Sequence, residues 1–274
     1  MEIVDIKVDY AKAGLEDPNY QPTLSCFVPK VYEETGSRKR GAVVICPGGG
    51  YDWCSEREAD PVAYRFLGAG FAAFVLRYSC CGIKFPTDLL ECAAAVKYVR
   101  ENAEKFDIDP DKIFVMGFSA GGHLAASMAN LWNMPLLAET LGCESETLRV
   151  NGSVLCYPVI LSDPELTHEG SIANLLQHKD DPELREFLSM DKRVGEQTPR
   201  TFIWHCADDG CVSVENTLYY ATALSANKIP FEAHIYPSGG HGLSLCDDTT
   251  ATWEGHNQPK AAEWVQDCID WMKS

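Results

Sequence analysis

Apolar runs and segments of helical periodicity alternate along most of this chain. Six apolar runs predict strands, and most of them are apolar throughout, as is typical of strands buried on both faces of a sheet; they cover residues 42–47, 72–78, 112–118, 152–160, 201–206 and 230–237. Helices are predicted after Pro86, where Leu89, Cys92, Val96 and Val99 recur at helical spacing, and across HLAASMANLW, TLYYATALSANK and the C-terminal KAAEWVQDCIDWM.

This alternation predicts an α/β fold with a mainly parallel central sheet and helices on both of its faces. Near the start, IVDIKV and LSCFV alternate between apolar and polar residues, which is typical of antiparallel strands. The alternation of apolar strands and helices is interrupted at residues 161–199, which are polar and contain two Asp-Pro steps. We therefore expect one domain over residues 1–274, with a small helical cap insertion at about 161–199.

Composition narrows the range of partners. The chain has 274 residues and a formal net charge of −17, which disfavours nucleic acid and anionic membranes as partners. No apolar run approaches the roughly 20 residues of a membrane span, and the N-terminal MEIVDIKVDY has no apolar signal core. The twelve cysteines include no C-x-x-C pair and several lie in apolar runs, so reduced thiols and a cytoplasmic location are expected. The adjacent pair Cys80-Cys81 suggests no function.

The segment Gly117-Phe118-Ser119-Ala120-Gly121 has the form G-x-S-x-G, and its context makes the motif specific. A predicted strand ends at it and a predicted helix begins from it, as at the sharp turn that exposes a nucleophilic serine. The alternative is a glycine-rich turn with an incidental serine. In the catalytic interpretation, the N–H of Ala120 contributes to an oxyanion hole.

A nucleophilic serine needs a base and an acid that orients the base. His241 lies in the glycine-rich loop SGGHG directly after the last predicted strand, where it is either that base or a solvated loop histidine. Asp208 and Asp209 both follow the strand 201–206 and compete for the role of the acid. The order serine, aspartate, histidine along the chain is the order that α/β hydrolases use.

The loop Pro47-Gly48-Gly49-Gly50-Tyr51 follows the first predicted buried strand. Three consecutive glycines allow backbone N–H groups to turn towards a developing oxyanion without hindrance from side chains. A glycine-rich loop could instead bind phosphate. No lysine follows at the spacing of a P-loop, however, and G-x-G-x-x-G is absent.

Taken together, these segments resemble the acetylxylan and feruloyl esterase-like branch of the α/β hydrolases, which is related to the hormone-sensitive-lipase type esterases. The resemblance covers most of the chain and is carried by CPGGGY, SEREADPVAYRFLGAGFAAFVLRYS, IFVMGFSAGGHLAA, HCADDGCVSVENT and YPSGGHGLSL. It implies a catalytic triad of Ser119, Asp209 and His241, with Asp209 preferred over Asp208 because of the D-x-x-V spacing. It also implies an oxyanion hole formed by Gly49, Gly50 and Ala120.

Two residues within the resemblance, Arg57 and Glu58, have no evident chemistry and could form a buried ion pair. Asp208 is expected to cap the turn or helix that follows it. Where lipase-type relatives have a histidine before the glycines, this chain has Pro47, and no effect on activity is expected.

The function that these features imply is a serine carboxylesterase acting on short acyl esters, in particular acetyl esters of carbohydrates. Neither a metal nor an organic cofactor is expected. The expected partner is a small-molecule or oligosaccharide ester, and the oligomeric state is left open. Two alternatives are an amide-cleaving relative, such as a small serine peptidase or an arylformamidase, and a non-catalytic binding protein with the same fold.

Overall fold

An eight-stranded sheet with the order β1-β2-β4-β3-β5-β6-β7-β8 forms the centre of the protein. The computed structural model describes residues 1–34 and 36–274. The strands are Glu2–Asp5 (β1), Thr23–Phe27 (β2), Arg40–Cys46 (β3), Ala72–Arg77 (β4), Ile108–Phe118 (β5), Gly152–Cys156 (β6), Arg200–Cys206 (β7) and Phe231–Tyr236 (β8). β1 pairs with β2 and β2 with β4 in antiparallel fashion, and every pairing from β4 to β8 is parallel. The predicted mainly parallel sheet is therefore confirmed, including its antiparallel start.

Helices cover both faces of this sheet. The α-helices are Asp60–Gly68 (α1), Thr87–Glu101 (α2), Ala120–Leu131 (α3), Pro135–Leu141 (α4), Glu169–Leu175 (α5), Pro182–Phe187 (α6), Glu215–Ala226 (α7) and Trp264–Lys273 (α8). Short 3₁₀ helices span Ala11–Ala13, Glu56–Glu58, Ser145–Leu148, Met190–Arg193, Glu254–His256 and Ala261–Glu263. In the described part of the chain, no helix is both long and apolar enough to cross a bilayer.

Alternating side chains of the buried strands build two separate cores. Val44 of β3 belongs to the core on one face of the sheet, to which α2, α3 and α7 also contribute. Its neighbours Val43 and Ile45 belong to the opposite core, where Phe66 of α1 and Trp264 of α8 are fully buried. Both faces of β3 are thus apolar, because a strand in the middle of such a sheet meets helices on each side.

One predicted strand is longer than the strand that the structure shows. The strand predicted over 152–160 ends at Cys156, because Tyr157 adopts a left-handed backbone conformation with φ 37° and Pro158 has no N–H to donate. β8 is present as predicted but lies at the edge of the sheet, where Phe231 and Ile235 are exposed.

Helix α1 was not predicted as an element. Pro61 in its first turn and the spacing of Val62, Ala63 and Phe66 are the sequence signals that indicate it.

Strand register brings the functional loops together at one edge of the sheet. Cys46 of β3 lies opposite Gly117 of β5, so the glycine loop and the turn at Ser119 leave the sheet side by side. Cys206 of β7 lies opposite Tyr236 of β8, so the loops that carry Asp209 and His241 also leave as neighbours. Ligands of open α/β sheets bind at this carboxyl edge.

Residues 161–199 connect β6 to β7 and contain α5, α6 and the 3₁₀ helix Met190–Arg193. The segment is thus helical, and Asn174 of α5 donates a hydrogen bond to the carbonyl of Gly50 at 2.9 Å. This contact ties the segment to the glycine loop.

Candidate active site

Ser119 occupies the sharp turn between β5 and α3, with φ 55° and ψ −120°. Non-glycine residues rarely adopt this conformation, and it persists only where surrounding contacts hold it. The N–H of Ser119 donates to the carbonyl of Cys156 at 3.0 Å, and its own carbonyl accepts from the N–H of Val159 at 3.0 Å. Gly121 is required by close packing, because a Cβ there would lie 2.1 Å from the carbonyl oxygen of Cys46.

The histidine and the aspartate preferred by the resemblance meet this serine in one hydrogen-bonded series. His241 Nε2 lies 2.8 Å from Ser119 Oγ, and His241 Nδ1 lies 2.6 Å from Asp209 Oδ2. With Nδ1–H donating to the carboxylate, Nε2 is free to accept the serine proton. The ring of Tyr157 lies edge-on to the imidazole with centroids 5.0 Å apart, which restricts its tilt. This arrangement can deprotonate a serine hydroxyl as it attacks a carbonyl carbon.

The carboxylate of Asp209 is buried and accepts hydrogen bonds on both oxygens. Oδ1 accepts from the N–H groups of Cys211 and Val212, each at 2.9 Å, and Oδ2 faces His205 and His241. Burial by itself would raise the pKa of Asp209, but the hydrogen bonds from His205 and His241 outweigh it and hold the pKa well below its ordinary value. The carboxylate therefore remains ionised and can stabilise an imidazolium at His241.

His205 is a second, fully buried histidine at this carboxylate. Its Nε2 lies 3.1 Å from Asp209 Oδ2 and 2.9 Å from the carbonyl of Val212, and its Nδ1 lies 2.8 Å from Thr217 Oγ1. Nε2–H donates to the two oxygens, so Nδ1 accepts from the threonine hydroxyl. From the sequence, His205 is only a histidine at the end of a strand, and nothing there connects it to the acid.

Asp208 does not cap the following turn or helix, and that expectation is wrong. Its Oδ1 accepts from the N–H of Gly240 at 2.9 Å, on the neighbouring loop that carries His241. The local turn is closed by Asp209 itself, through the N–H groups of Cys211 and Val212. Asp209 therefore both bonds to His241 and closes the local turn. The exposed Asp208 stabilises the neighbouring loop through its hydrogen bond to Gly240.

The glycine loop lies directly against the serine. A Cβ on Gly48 would lie 3.0 Å from Ser119 Cβ, and Gly49 has φ 127° with Trp53 O only 2.0 Å from the position of a Cβ. Within residues 1–34 and 36–274, no protein acceptor bonds to the N–H groups of Gly49, Gly50 or Ala120. These three backbone N–H groups are therefore unpaired, which is a condition that the donors of an oxyanion hole must meet.

Arg57 and Glu58 do not form an ion pair with each other, so that interpretation is wrong. Arg57 donates to the carbonyls of Thr250 at 2.6 Å and Gly242 at 2.8 Å, which holds the chain just after His241. A guanidinium can bond to two carbonyls at once because several N–H donors project from its plane.

Glu58 anchors the glycine loop instead. Its Oε2 accepts from the N–H of Gly48 at 2.8 Å, and its Oε1 accepts from the hydroxyl of Tyr157 at 2.7 Å. Tyr157 in turn accepts from the N–H of Ser244 at 2.8 Å, which joins three loops of the site. Only the fold shows this role, because Tyr157 and Ser244 are far from Glu58 in the chain.

Replacing Glu58 with glutamine is expected to lower the free energy of unfolding by about 1–3 kcal/mol. Glu58 accepts hydrogen bonds from the N–H of Gly48 and the hydroxyl of Tyr157. In the glutamine variant one of these two donors would face the amide NH₂ and remain unpaired in a buried position. Turnover is expected to fall as well, because the glycine loop loses its anchor. Thermal melting and ester hydrolysis measure the two effects.

Glu56→Gln is the matched control, because Glu56 is exposed and, among the residues that the structure describes, pairs only with Arg77. Such surface pairs contribute about 0–1 kcal/mol. Equal melting temperatures for both variants would contradict the anchoring role of Glu58.

These groups open into a cavity of about 560 Å³. Ser119 and His241 lie in its wall together with Gly49 and Gly50, and the segment 161–199 contributes His168, Gly170 and Asn174. The cavity is thus built from both the sheet edge and the inserted helices, a usual place for a small-molecule site.

The strand order and the strained serine turn place the chain among the α/β hydrolases, and a solved structure supports this assignment. It shares 35% sequence identity and a TM-score of 0.83 with the acetyl ester-xyloside bifunctional hydrolase of Caldicellulosiruptor lactoaceticus, over 99% of this chain and 95% of that one. The predicted α/β-hydrolase fold is confirmed. More narrowly, the chain belongs to the BD-FAE family, whose model matches residues 30–224.

Curated relatives agree with this family. The chain is 35% identical to endo-1,4-beta-xylanase B of Butyrivibrio fibrisolvens over 249 residues, which is 86% of this chain and 38% of that protein. It is 29% identical to the acetylxylan esterase of Xylanibacter ruminicola over 256 residues, which is 92% of this chain and 48% of that protein. The chain thus spans less than half the length of these two relatives. The predicted resemblance to the acetylxylan esterase-like branch is confirmed.

Proposed function

We propose that this chain is a serine carboxylesterase that hydrolyses short acyl esters, and that acetyl esters of carbohydrates are its natural substrates. The observation that carries the proposal is the hydrogen-bonded series from Ser119 through His241 to Asp209. The substrate class draws support from a relative named acetylxylan esterase and from a solved structure named acetyl ester-xyloside bifunctional hydrolase.

The proposed reaction is a two-step acyl transfer to water. His241 removes the proton of Ser119 as Oγ attacks the ester carbonyl, and the oxyanion binds the N–H groups of Gly49, Gly50 and Ala120. Collapse of the tetrahedral intermediate expels the alcohol, which takes its proton from His241. His241 then deprotonates a water molecule, which attacks the acyl carbon. The bond between that carbon and Ser119 Oγ breaks, the carboxylic acid leaves, and His241 returns the proton to Oγ. Asp209 stabilises the imidazolium in both steps.

The inserted segment 161–199 serves in this proposal as a cap over the substrate within a single domain of residues 1–274. A cytoplasmic location is also proposed, where the enzyme would meet imported oligosaccharides. The proposal rests on the cysteines, which include no C-x-x-C pair and several of which are buried in apolar runs as small hydrophobic side chains.

Amide cleavage and non-catalytic binding are the alternatives, and neither is favoured. Several relatives carry esterase names, including the esterase LipQ of Mycobacterium tuberculosis. Non-catalytic binding would leave the bonded serine, histidine and aspartate without a purpose.

The test is a comparison of acetylated and feruloylated oligosaccharides with p-nitrophenyl esters and aminoacyl anilides. Highest kcat/KM on acetylated sugars supports the proposal. Faster cleavage of anilides would identify an amidase, and absence of turnover together with absence of labelling by a fluorophosphonate would identify a binding protein.

Acyl chain length provides a further prediction. Activity is expected to fall from p-nitrophenyl acetate to butyrate and to be lowest for palmitate, measured as kcat/KM below the concentration at which palmitate forms micelles. The cavity is modest in size, and Asp52, Ser55, Arg57 and Asn174 place polar groups in its wall that a long acyl chain would cut off from water. Highest kcat/KM on palmitate would instead identify a lipase.

A further inference from the structure

Two side chains that the reaction does not use lie beside the glycines proposed to bind the oxyanion. A Cβ on Gly50 would lie 3.8 Å from His168 Cε1, and a Cβ on Gly49 would lie 3.2 Å from Trp53 Cδ1. Both side chains line the cavity that holds Ser119. An ester whose carbonyl oxygen rests on Gly49 and Gly50 therefore has its remaining atoms within reach of an imidazole and an indole.

Local hydrogen bonds determine the protonation of His168. The residue precedes α5, and its Nδ1 accepts from the N–H of Ser171 at 3.3 Å, with Ser171 Oγ at 2.8 Å. Because Nδ1 accepts, the ring proton of the neutral imidazole lies on Nε2. Burial and the nearby His241 lower the pKa of His168, which keeps the ring neutral. No acceptor for Nε2–H occurs among the described residues, so one donor is left at the cavity wall.

Trp53 presents a large apolar surface at the mouth of the same cavity. The residue is 61% exposed, and its backbone N–H donates to the carbonyl of Gly49 at 3.3 Å, which closes the glycine loop. An acetyl group bound at Ser119 is too small to cover an indole at the rim. The part of the ester that projects towards solvent is then the alcohol half, and this half can contact Trp53.

We propose that Trp53 and His168 form a subsite for the alcohol half of the ester, and that this alcohol is a hydroxylated sugar ring. The C–H face of the ring packs on the indole, and Nε2–H of His168 donates to a ring hydroxyl next to the acylated oxygen. The inference rests on the proposed esterase function and deepens it by assigning the residues that select a sugar. An apolar platform beside a directed donor distinguishes a hydroxylated ring from both a plain ring and an open chain.

Three acetates separate the two contacts, because an acetylated methyl xyloside offers a ring with hydroxyls, cyclohexyl acetate a ring without them, and ethyl acetate neither. His168→Asn is the informative variant, since asparagine also accepts from the N–H of Ser171 as a helix cap but is too short to reach the cavity. It is expected to lower the ratio of kcat/KM for the xyloside over that for cyclohexyl acetate about tenfold, as for the loss of one hydrogen bond in an enclosed site.

Trp53→Ala is expected to lower the ratios of both ring esters over ethyl acetate about tenfold, since both rings lose the indole. Trp53→Phe should restore part of each ratio. Trp253→Ala is the matched control, because Trp253 is 66% exposed but does not line the cavity, and its ratios should equal those of the wild type.

The outcomes distinguish this inference from the proposed function. A wild-type protein that prefers the xyloside, with ratios unchanged in His168→Asn and Trp53→Ala, would overturn the subsite and leave the esterase assignment intact. A wild-type protein that hydrolyses none of the acetates would overturn the proposed function itself. A ratio that falls in His168→Ala but not in His168→Asn would show that only the helix cap matters, and would overturn the role of His168 as a donor.

Discussion

Replacing Ser119 with alanine is expected to reduce ester turnover by about five to six orders of magnitude, as in serine hydrolases where the triad acts as a unit. Without Oγ no acyl-enzyme forms, and the remaining catalysis comes from the backbone donors and from binding. The fold is expected to survive, because glycines and backbone hydrogen bonds hold the turn, and within the described part of the chain the serine side chain bonds only to His241. Steady-state hydrolysis of p-nitrophenyl acetate and thermal melting measure the two effects.

Labelling with a fluorophosphonate adds a readout that contaminating esterases do not mimic. The probe should react with the wild type and not with Ser119→Ala. Ser225→Ala, at an exposed position on α7, serves as the control for preparation and should be labelled like the wild type. Turnover of Ser119→Ala close to that of the wild type in a clean preparation would remove the basis of the proposed mechanism.

The neighbouring aspartates should differ sharply when each is changed to asparagine. Asp209→Asn is expected to lower kcat by about 10⁴-fold, because the amide cannot hold His241 in the required tautomer or stabilise the imidazolium. Asp208→Asn should keep turnover within about tenfold, since Asp208 only accepts one hydrogen bond, from the N–H of Gly240, at an exposed position.

Both variants should fold, and for a reason visible in the site. In Asp209→Asn the remaining carbonyl oxygen of the side chain can still accept from the N–H groups of Cys211 and Val212, and Nε2–H of His205 still has the carbonyl of Val212. Acetyl-ester turnover and melting temperature should be measured side by side. An inactive Asp208→Asn with an active Asp209→Asn would reverse the assignment of the acid and leave Ser119 and His241 in place.

Local sequence patterns were sufficient for the sheet because burial dictates them. A strand covered on both faces must be apolar throughout, which is why 42–47 and 72–78 predict β3 and β4 almost to their ends. The serine turn was equally readable, since its flanking glycines meet steric demands that no other residue satisfies. The end of β6 was missed because it depends on the unusual backbone of Tyr157.

The roles of Glu58, His205 and His168 were beyond the reach of local patterns. Glu58 reaches Tyr157 at a separation of 99 residues, and His168 lies beside the distant Gly50. His205 is only four residues from Asp209, but the fold of the turn after β7 decides that its ring meets the carboxylate. The sequence marks Arg57 and Glu58 as part of a family resemblance, but it does not reveal that they hold loops rather than each other. Polar side chains carry little periodic signal, so their partners remain undetermined until the loops meet.

By itself, the sequence determined the class of fold, the serine turn, and a histidine and two aspartates placed after the right strands. These features are local, because burial and backbone sterics act on neighbouring residues. Only the tertiary structure decided which polar groups bond between loops: Asp209 rather than Asp208 with His241, Asp208 with Gly240, and Glu58 with Tyr157. Hydrogen bonds need atoms within about 3 Å and in line, and only the packed sheet brings loops from distant parts of the chain to that distance.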